Sequence, residues 1–257
     1  MNLGLEKKIV LITASSAGIG KATAMAFLQE GAIVILNGRN RERLKEVQCK
    51  LGEEFGKERV WAFCGDACED NIIKEFKEYV KSKWGRLDIL VPNIGTGKPT
   101  GEGKLSISEW QFMMEKNLFG TVSLIHEFEE LLCAGKNASI ILVSSIAAYE
   151  RGNAPYAYAA AKRGLLALNK YLAGDFARKN IRINCVVPGN IYFPGGRWEE
   201  LYQKDSEGVS RFIKENVPLN RFGSPEEIAS SIVFLASEKS MFTSGAELVV
   251  DGGQKRS

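Results

Sequence analysis

Tyr158 and Lys162 are the residues of this chain whose types and spacing most directly suggest catalysis. They lie four positions apart in the segment YAYAAAK (156–162), which is rich in good helix formers. On a helix, this spacing places the phenol and the ammonium on one face. A cation beside a tyrosine favours the phenolate, so we expect Lys162 to lower the pKa of Tyr158 from about 10 towards neutrality. The alternative, a Tyr/Lys pair on a solvated helix face, is not excluded by the spacing alone.

Short β-branched runs that alternate with longer amphipathic patterns must position this pair. The runs IVLI (9–12) and IILV (140–143) are typical of strands covered on both faces. Repeated strand–helix–strand units predict an α/β, doubly wound fold with a seven-stranded parallel sheet flanked by helices on both faces. We expect strands at 8–13, 32–37, 60–64, 87–92, 139–144, 182–187 and 247–250, and helices at 20–30, 42–55, 71–84, 107–132 and 155–179.

Length and composition indicate a single domain that spans residues 1–257. The chain is 45% hydrophobic, enough for a full core, and no Pro/Gly/Ser-rich linker divides it. Residues 190–216 mix Gly and Pro with aromatic side chains after a predicted strand. A long segment of this kind is more typical of a substrate lid than of a passive loop, and Phe193, Trp198 and Tyr202 are its candidate substrate contacts.

Charge and cysteine content limit the possible partners. The net charge of +3 includes no polybasic run, so we expect neither nucleic-acid nor membrane binding. No apolar stretch is long enough to span a bilayer, and we expect no secretory signal. Five scattered cysteines indicate reduced thiols and a cytoplasmic location. Cys64 and Cys68 lack a second pair, so we predict no metal site. His126 is the only histidine and no nucleophile elbow accompanies it, which argues against a Ser-His-Asp hydrolase.

A glycine-containing turn joins the first predicted strand to the first helix. Its sequence is TASSAGIG (13–20), and a second strand follows at the spacing that a dinucleotide site needs. Glycines at such a junction let the backbone approach a pyrophosphate, whose charge is stabilised by the helix N-terminus. This context favours nucleotide binding over a purely structural turn.

The turn and the Tyr/Lys pair resemble motifs of the short-chain dehydrogenases/reductases. The chain is similar to this family over almost its whole length, and the 3-oxoacyl-carrier-protein reductases share its C-terminal signature. The resemblance implies a single domain of the Rossmann type. The further segments that carry it are DILVPNIG (88–95), KNLFG (116–120), VSS (143–145), VPG (187–189), RFGSPEE (221–227) and the stretch from Ser244-Gly245 to DGG (251–253).

The resemblance implies four catalytic residues. Tyr158 would be the general acid in carbonyl reduction and the base in alcohol oxidation, and Ser145 would polarise the substrate oxygen. Lys162 would lower the tyrosine pKa and bind the nicotinamide ribose, and Asn117 would anchor a water that relays protons from Lys162 to solvent. The implied cofactor-binding residues are Thr13, Ser15, Ser16, Gly18, Ile19, Gly20, Arg39, Asp66, Ala67, Asn93, Gly95, Tyr158, Lys162, Pro188, Gly189 and Ile191.

The end of the second predicted strand indicates the cofactor. A carboxylate there would bind the adenosine ribose and repel a 2′-phosphate, but the chain has NGRN (37–40). Arginine pairs well with phosphate, so Arg39 favours NADP(H), with NAD(H) possible. The alternative is that Arg39 is only the solvated start of the next helix. By resemblance, Asp66 would hold the adenine ring.

Three departures from the family pattern affect the expected site. Ala14 replaces the first glycine of the turn, which we expect to do little harm if its φ is negative. Pro92 and Ile94 replace two residues of the Asn-Asn-Ala-Gly segment, and Pro92 is acceptable at a strand end. Phe193 falls where the family often has a threonine that bonds the nicotinamide carboxamide, so that contact must come from elsewhere.

Together these features predict an NADP(H)-dependent oxidoreductase that interconverts a ketone and a secondary alcohol. Two alternatives stay open: a catalytically silent cofactor-binding regulator or scaffold subunit, and an NAD-dependent dehydrogenase of sugars or other hydroxy compounds. The resemblance implies a homotetramer built by the helices that carry Asn117 and Tyr158. The sequence does not identify the small-molecule substrate.

Overall fold

The computed structural model describes residues 2–152 and 154–255. The strands of this part of the chain form one seven-stranded sheet in the order β3-β2-β1-β4-β5-β6-β7, and all neighbouring pairs are parallel. Their bounds are β1 Ile9–Ile12, β2 Ile33–Gly38, β3 Val60–Cys64, β4 Ile89–Val91, β5 Ser139–Val143, β6 Arg182–Pro188 and β7 Glu247–Val250. Because the strand order reverses between β1 and β4, a ligand crevice is expected above their carboxyl ends.

Helices cover both faces of the sheet, which confirms the predicted doubly wound fold. Four of them, α1, α2, α3 and α6, lie within two residues of the predicted bounds. They are α1 Gly18–Gln29, α2 Arg41–Phe55, α3 Asp70–Trp84, α4 Ile107–Met114, α5 Gly120–Cys133, α6 Tyr156–Ala177, α7 Arg197–Lys204, α8 Ser206–Asn216 and α9 Pro225–Ala236.

Alternate residues of β1 pack into two separate apolar layers, one on each face of the sheet. Val10 packs in one layer with Phe27 of α1, while Leu11 packs in the other with Phe76 of α3 and Phe128 of α5. All five side chains are fully buried. Successive side chains of a strand point to opposite faces of the sheet, and every residue of β1 is apolar. Both faces of the sheet are therefore buried at this strand.

The predicted single helix over 107–132 is wrong at its centre. The structure ends α4 at Met114, inserts a π-helical turn over Glu115–Phe119 and begins α5 at Gly120. The insertion contains the fully buried Asn117, a predicted catalytic residue, and π-turns are often found at functional sites.

Residues 190–216, predicted as a loose segment, contain two helices. The ring of Trp198 in α7 stacks on that of Phe212 in α8, with centroids 5.5 Å apart, and this contact joins the two helices. The following helix, α9, was not predicted from the sequence, although Ser224 and Glu227 form a capping box at its start and Pro225 is its first residue. Among the described residues, none of the helices combines the length and apolar character needed to cross a bilayer.

Candidate active site

The carboxyl ends of β1, β4, β5 and β6 bring the predicted site residues to one edge of the sheet. Thr13 follows β1, and its Oγ1 accepts a hydrogen bond of 2.9 Å from the backbone N–H of Asn93, which lies beyond β4. The Asn93 amide donates to the carbonyl oxygens of Thr13 and Ala14 at 3.4 and 3.5 Å. Pro92 directly follows the last residue of β4, where its missing N–H removes no ladder hydrogen bond.

Tyr158 and Lys162 lie in the first two turns of α6, beside the end of β5. The side chain of Ser145, which follows β5, lies next to the phenol of Tyr158 and favours its phenolate form. The ammonium of Lys162 donates to the carbonyl oxygen of Val143 at 3.0 Å and lies 5.9 Å from the centroid of the Tyr158 ring. A hydrogen bond of 2.8 Å from Ser144 Oγ to the Lys162 carbonyl oxygen fixes α6 against β5.

Burial shifts the pKa values of Tyr158 and Lys162 in opposite directions. It raises the pKa of Tyr158, and the side chain of Ser145 opposes that effect only in part. Burial also lowers the pKa of Lys162, from 10.5 to about 8. The expected lowering of the Tyr158 pKa by Lys162 is therefore absent in this geometry, because the ammonium is directed at the Val143 carbonyl instead of the phenol.

Asn117 is fully buried in the π-helical turn and holds the segment after β4. Its Oδ1 accepts from the Thr96 N–H at 2.9 Å, and its Nδ2 donates to the Thr96 and Met113 carbonyls at 3.1 and 2.9 Å. A Cβ on Gly95 would lie 2.7 Å from Asn117 Oδ1 and 3.1 Å from Lys162 Nζ. The absence of a side chain at Gly95 therefore allows Asn117 and Lys162 to approach each other.

The turn before α1 leaves a helix N-terminus without a side-chain cap. Ala17 occupies the N-cap position, no cap hydrogen bond forms, and the first turn contains no acidic residue. The first N–H groups of α1 thus lack intrahelical partners and favour an anion. A Cβ on Gly20 would lie 2.5 Å from the Ala14 carbonyl oxygen, so only glycine permits this close packing of turn and helix.

Ser15 and Ser16 support the turn from opposite sides. The buried Ser15 Oγ donates to the Ile12 carbonyl and accepts from the Asn37 N–H, both at 2.9 Å, so it ties the turn to β2. Ser16 lies against Gly38 at the end of β2, where a Cβ would come within 3.2 Å of its hydroxyl. The backbone N–H of Ser15 also donates to the Asn37 carbonyl at 2.8 Å, so both donors of Ser15 are already engaged within the protein.

Ala14 does not have the negative φ on which its expected tolerance depends. Its φ is +49°, in the left-handed region that favours glycine. The backbone of the turn keeps the conformation that glycine would adopt, and the alanine accommodates it with strain.

The carboxyl ends of β2 and β3 carry a group of charges. Arg39 Nη1 lies 3.8 Å from Asp66 Oδ2, and Lys116 Nζ lies 2.9 Å from the same oxygen. Ala67, next to Asp66, is buried. Lys116, which is 50 residues from Asp66 in the chain, was not predicted as a site residue. Its position beside Asn117 was the only available signal.

A cavity of about 690 Å³ opens beside the Tyr158 phenol. Trp198, Leu201 and Phe212 of α7 and α8 form its apolar wall. Tyr202, a predicted substrate contact, does not line it, because its ring turns towards Tyr192, with centroids 6.5 Å apart. The remaining predicted site residues on its wall are Ile19, Ser145, Pro188, Gly189, Ile191 and Phe193.

Two contacts hold the 190–216 segment against the rest of the site. The Phe193 ring covers the start of α1, where a Cβ on Gly18 would come within 2.7 Å of the ring. Glu200 of α7 forms an ion pair with Lys98, which follows β4, and a second one with Arg197 at 3.4 Å. The segment is thus anchored both at the candidate anion site and at the chain segment that follows β4.

Comparisons with known proteins agree with this arrangement. A family model described as enoyl-(acyl carrier protein) reductase matches residues 13–255. The 3-oxoacyl-[acyl-carrier-protein] reductase of Thermotoga maritima is 36% identical over 97% of this chain and 98% of its own. The D-threitol dehydrogenase of Mycolicibacterium smegmatis is 30% identical over 97% and 93%. The crystal structure of L-sorbose reductase from Gluconobacter frateurii, complexed with NADPH and L-sorbose, superposes with a TM-score of 0.92 at 34% identity and covers 100% of both chains. The chain belongs to the short-chain dehydrogenase/reductase family of oxidoreductases.

Proposed function

We propose that this protein is an NADP(H)-dependent oxidoreductase that interconverts a ketone and a secondary alcohol, with Tyr158 as general acid and base. The observation that carries the proposal is the placement of Ser145 and Tyr158 together on the wall of a large cavity, with Lys162 beside Tyr158. When bound, the nicotinamide cofactor supplies or accepts the hydride.

The side chains of this chain supply the proton and orient the substrate oxygen. The hydroxyls of Ser145 and Tyr158 hold the carbonyl oxygen, where negative charge develops during reduction. Tyr158 donates its proton to that oxygen, and its raised pKa keeps it protonated at neutral pH. Lys162 and Asn117 connect the phenol to solvent through a water-mediated relay, for which the buried, depressed-pKa ammonium of Lys162 is suited.

The residues at the edge of the sheet fit a dinucleotide phosphate. The uncapped N-terminus of α1 offers free N–H groups to a pyrophosphate, and the exposed guanidinium of Arg39 lies at the end of β2. The related L-sorbose reductase binds NADPH, which agrees with a preference for NADP(H). We expect Arg39→Ala to weaken NADPH binding about tenfold and NADH binding little, because only NADPH presents the 2′-phosphate. Unchanged NADPH affinity in this variant would contradict the role of Arg39.

Residues 190–216 act in this proposal as a substrate lid within a single domain. Trp198 and Phe193 line the cavity, and the Lys98–Glu200 ion pair ties α7, which carries Trp198, to the segment that follows β4. A volume of about 690 Å³ is large enough for an acyl chain or a polycyclic compound as well as for a sugar. The substrate is therefore proposed only as a carbonyl or alcohol compound of small to medium size.

Turnover measurements distinguish this function from that of a catalytically silent regulator. The purified protein is supplied with NADPH or NADH and a panel of ketones that includes a ketose, a 3-oxoacyl thioester and a polycyclic ketone. We expect cofactor oxidation with at least one ketone and faster turnover with NADPH. Tight NADPH binding without turnover, under conditions in which a known reductase converts the whole panel, would contradict the proposal.

We further propose a cytoplasmic homotetramer. Its support is a set of exposed apolar side chains near the helices that carry Asn117 and Tyr158, namely Phe112, Phe119, Val122 and Tyr156. All five cysteines are free thiols, as expected in a reducing compartment. Sedimentation at several concentrations is expected to give a tetramer, and Val122→Glu is expected to give smaller species. A wild-type monomer at all concentrations would contradict this assembly.

A further inference from the structure

Three charged side chains meet where the adenosine end of a dinucleotide would bind, above the carboxyl ends of β2 and β3. Asp66 lies in the middle, with Arg39 on one side and Lys116 on the other. Lys116 belongs to the π-helical turn after α4 and lies 50 residues from Asp66 in the chain. Its ammonium forms no part of the proton chemistry at Tyr158.

Lys116 contacts the Asp66 carboxylate more closely than Arg39 does. Lys116 Nζ lies 2.9 Å from Asp66 Oδ2, a hydrogen-bonding distance, whereas Arg39 Nη1 lies 3.8 Å from the same atom. The backbone N–H of Cys68 donates to Asp66 Oδ1 at 3.1 Å. Both carboxylate oxygens therefore have close partners without Arg39, whose side chain is 75% exposed.

The group is ionised and carries one net positive charge. Burial is the largest influence on Asp66 and would raise its pKa, but the hydrogen bonds from Lys116 and Cys68 and the charges of Lys116 and Arg39 outweigh it and lower the pKa. Burial likewise opposes the charge of Lys116, yet Asp66 raises the pKa of that ammonium overall. Two cations and one carboxylate thus face the adenosine position at neutral pH.

We infer that Lys116 is a positioning residue for cofactor discrimination: it occupies the Asp66 carboxylate and so leaves the Arg39 guanidinium available to a 2′-phosphate. This inference rests on the proposed NADP(H) function. Without Lys116, Asp66 would be free to form a close pair with Arg39, and its unneutralised charge would repel a phosphate of charge near −2. NADH lacks that phosphate and would not sense the difference.

The test compares dissociation constants for NADPH and NADH, measured by cofactor fluorescence on the full-length protein. We expect Lys116→Met to reduce the ratio of the NADH dissociation constant to the NADPH dissociation constant about tenfold, which corresponds to about 1.4 kcal/mol. This reduction should come from weaker NADPH binding. Lys116→Arg retains the ion pair and is expected to keep the preference. Lys77→Met is the matched control, because Lys77 is also ion-paired and partly buried, with 18% of its side chain exposed compared with 24% for Lys116.

A double-mutant cycle determines whether Lys116 acts through Asp66. In an Asp66→Asn background, Arg39 has no carboxylate to pair with, so Lys116→Met is expected to change the NADPH preference by less than about twofold. If Asp66→Asn also removes a contact with the adenine ring, it would weaken the binding of NADPH and NADH equally. The ratio of their dissociation constants would then stay the same. An undiminished effect of Lys116→Met in this background would overturn the inference.

The outcomes for this inference and for the proposed function are distinct. A wild-type protein that binds NADPH no more tightly than NADH would contradict the NADP(H) preference, and the inference with it. A wild-type preference for NADPH that Lys116→Met leaves unchanged, or equal weakening of both cofactors, would overturn the inference alone. In the latter case Lys116 would have only a structural role.

Discussion

At the scale of single residues, Lys162 keeps a charge inside the protein beside a carbonyl oxygen. Its side chain is almost fully buried, and its hydrogen bond to Val143 does not compensate for the loss of water, so its pKa falls to about 8. A group with this pKa exchanges protons near neutral pH, which suits the proposed relay to Tyr158. The same burial makes Lys162 costly to the folded state.

We predict that Lys162→Met stabilises the protein at pH 7. In the unfolded chain the lysine pKa is about 10.4, so between pH 8 and pH 10.4 the unfolded state holds a proton that the folded state has lost. The free energy of unfolding of the wild type therefore rises with pH relative to the variant. Below pH 8, keeping the buried Lys162 charged costs the folded wild type about 3 kcal/mol. The variant avoids this cost but loses the hydrogen bond to Val143, which offsets about 1 kcal/mol of the gain.

Urea unfolding of both proteins at pH 7 and pH 10 measures this difference. The variant is expected to be more stable by about 2 kcal/mol at pH 7, and its advantage should largely disappear at pH 10. A difference that is independent of pH would show that the charge of Lys162 carries no such cost.

A second prediction concerns the strained turn residue. Ala14→Gly should stabilise the protein by about 0.5 to 1 kcal/mol, because the relief of the left-handed φ exceeds the added entropy of glycine in the unfolded chain. Ala17→Gly is the matched control in the same turn, since the φ of Ala17 is −160° and the substitution should destabilise. Equal denaturant midpoints for the Ala14 variant and the wild type would contradict the strain at this turn.

At the scale of elements, the buried Arg182 joins β6 to the end of α9. Its guanidinium has no acidic partner among its hydrogen bonds and instead donates to four backbone carbonyls, those of Leu235, Ala236, Ser237 and Thr243. Free carbonyls at a helix C-terminus carry partial negative charge, so a cation there satisfies and stabilises them.

We predict that Arg182→Leu destabilises the protein by about 3 kcal/mol, because it leaves these carbonyls buried without donors. Arg178→Leu, which removes an exposed arginine paired with Asp175 at 3.7 Å, should change the free energy of unfolding by less than about 1 kcal/mol. Thermal or urea unfolding of both variants provides the measurement. Equal effects of the two substitutions would contradict the capping role of Arg182.

The elements differ in how far the sequence predicts them. Strands β3 and β7 have the predicted bounds, although both lie at the edges of the sheet and are only partly buried. The break of the 107–132 helix was not predictable from periodicity, since the π-turn depends on tertiary contacts of Asn117. The start of α9 was predictable in principle from its capping box.

At the scale of the whole molecule, strand order determines which distant residues form the site. Ordered motifs in the sequence predict Asn117, Ser145, Tyr158 and Lys162 as a catalytic set, and the structure places these residues near the carboxyl ends of β4 and β5. The direction of the Lys162 ammonium and the Lys116–Asp66 contact depend on side-chain packing between separate elements. The pKa of Tyr158 could not be inferred from helix spacing for the same reason.

The wall of the cavity likewise depends on the whole fold. The aromatic content of residues 190–216 indicated a substrate segment, but only the packing of α7 on α8 shows that Trp198 lines the cavity while Tyr202 does not. The lining of the cavity thus depends on the orientation of two helices, which a local sequence pattern does not specify.

The most direct measurement of the central claim is single-turnover ketone reduction by the wild type and Tyr158→Phe, with saturating NADPH and a ketone that the wild type reduces. We predict that the variant binds NADPH with nearly unchanged affinity and reduces the ketone about a thousandfold more slowly, because the proton donor is missing. Reduction by Tyr158→Phe at the wild-type rate would contradict the assignment of Tyr158 as the general acid.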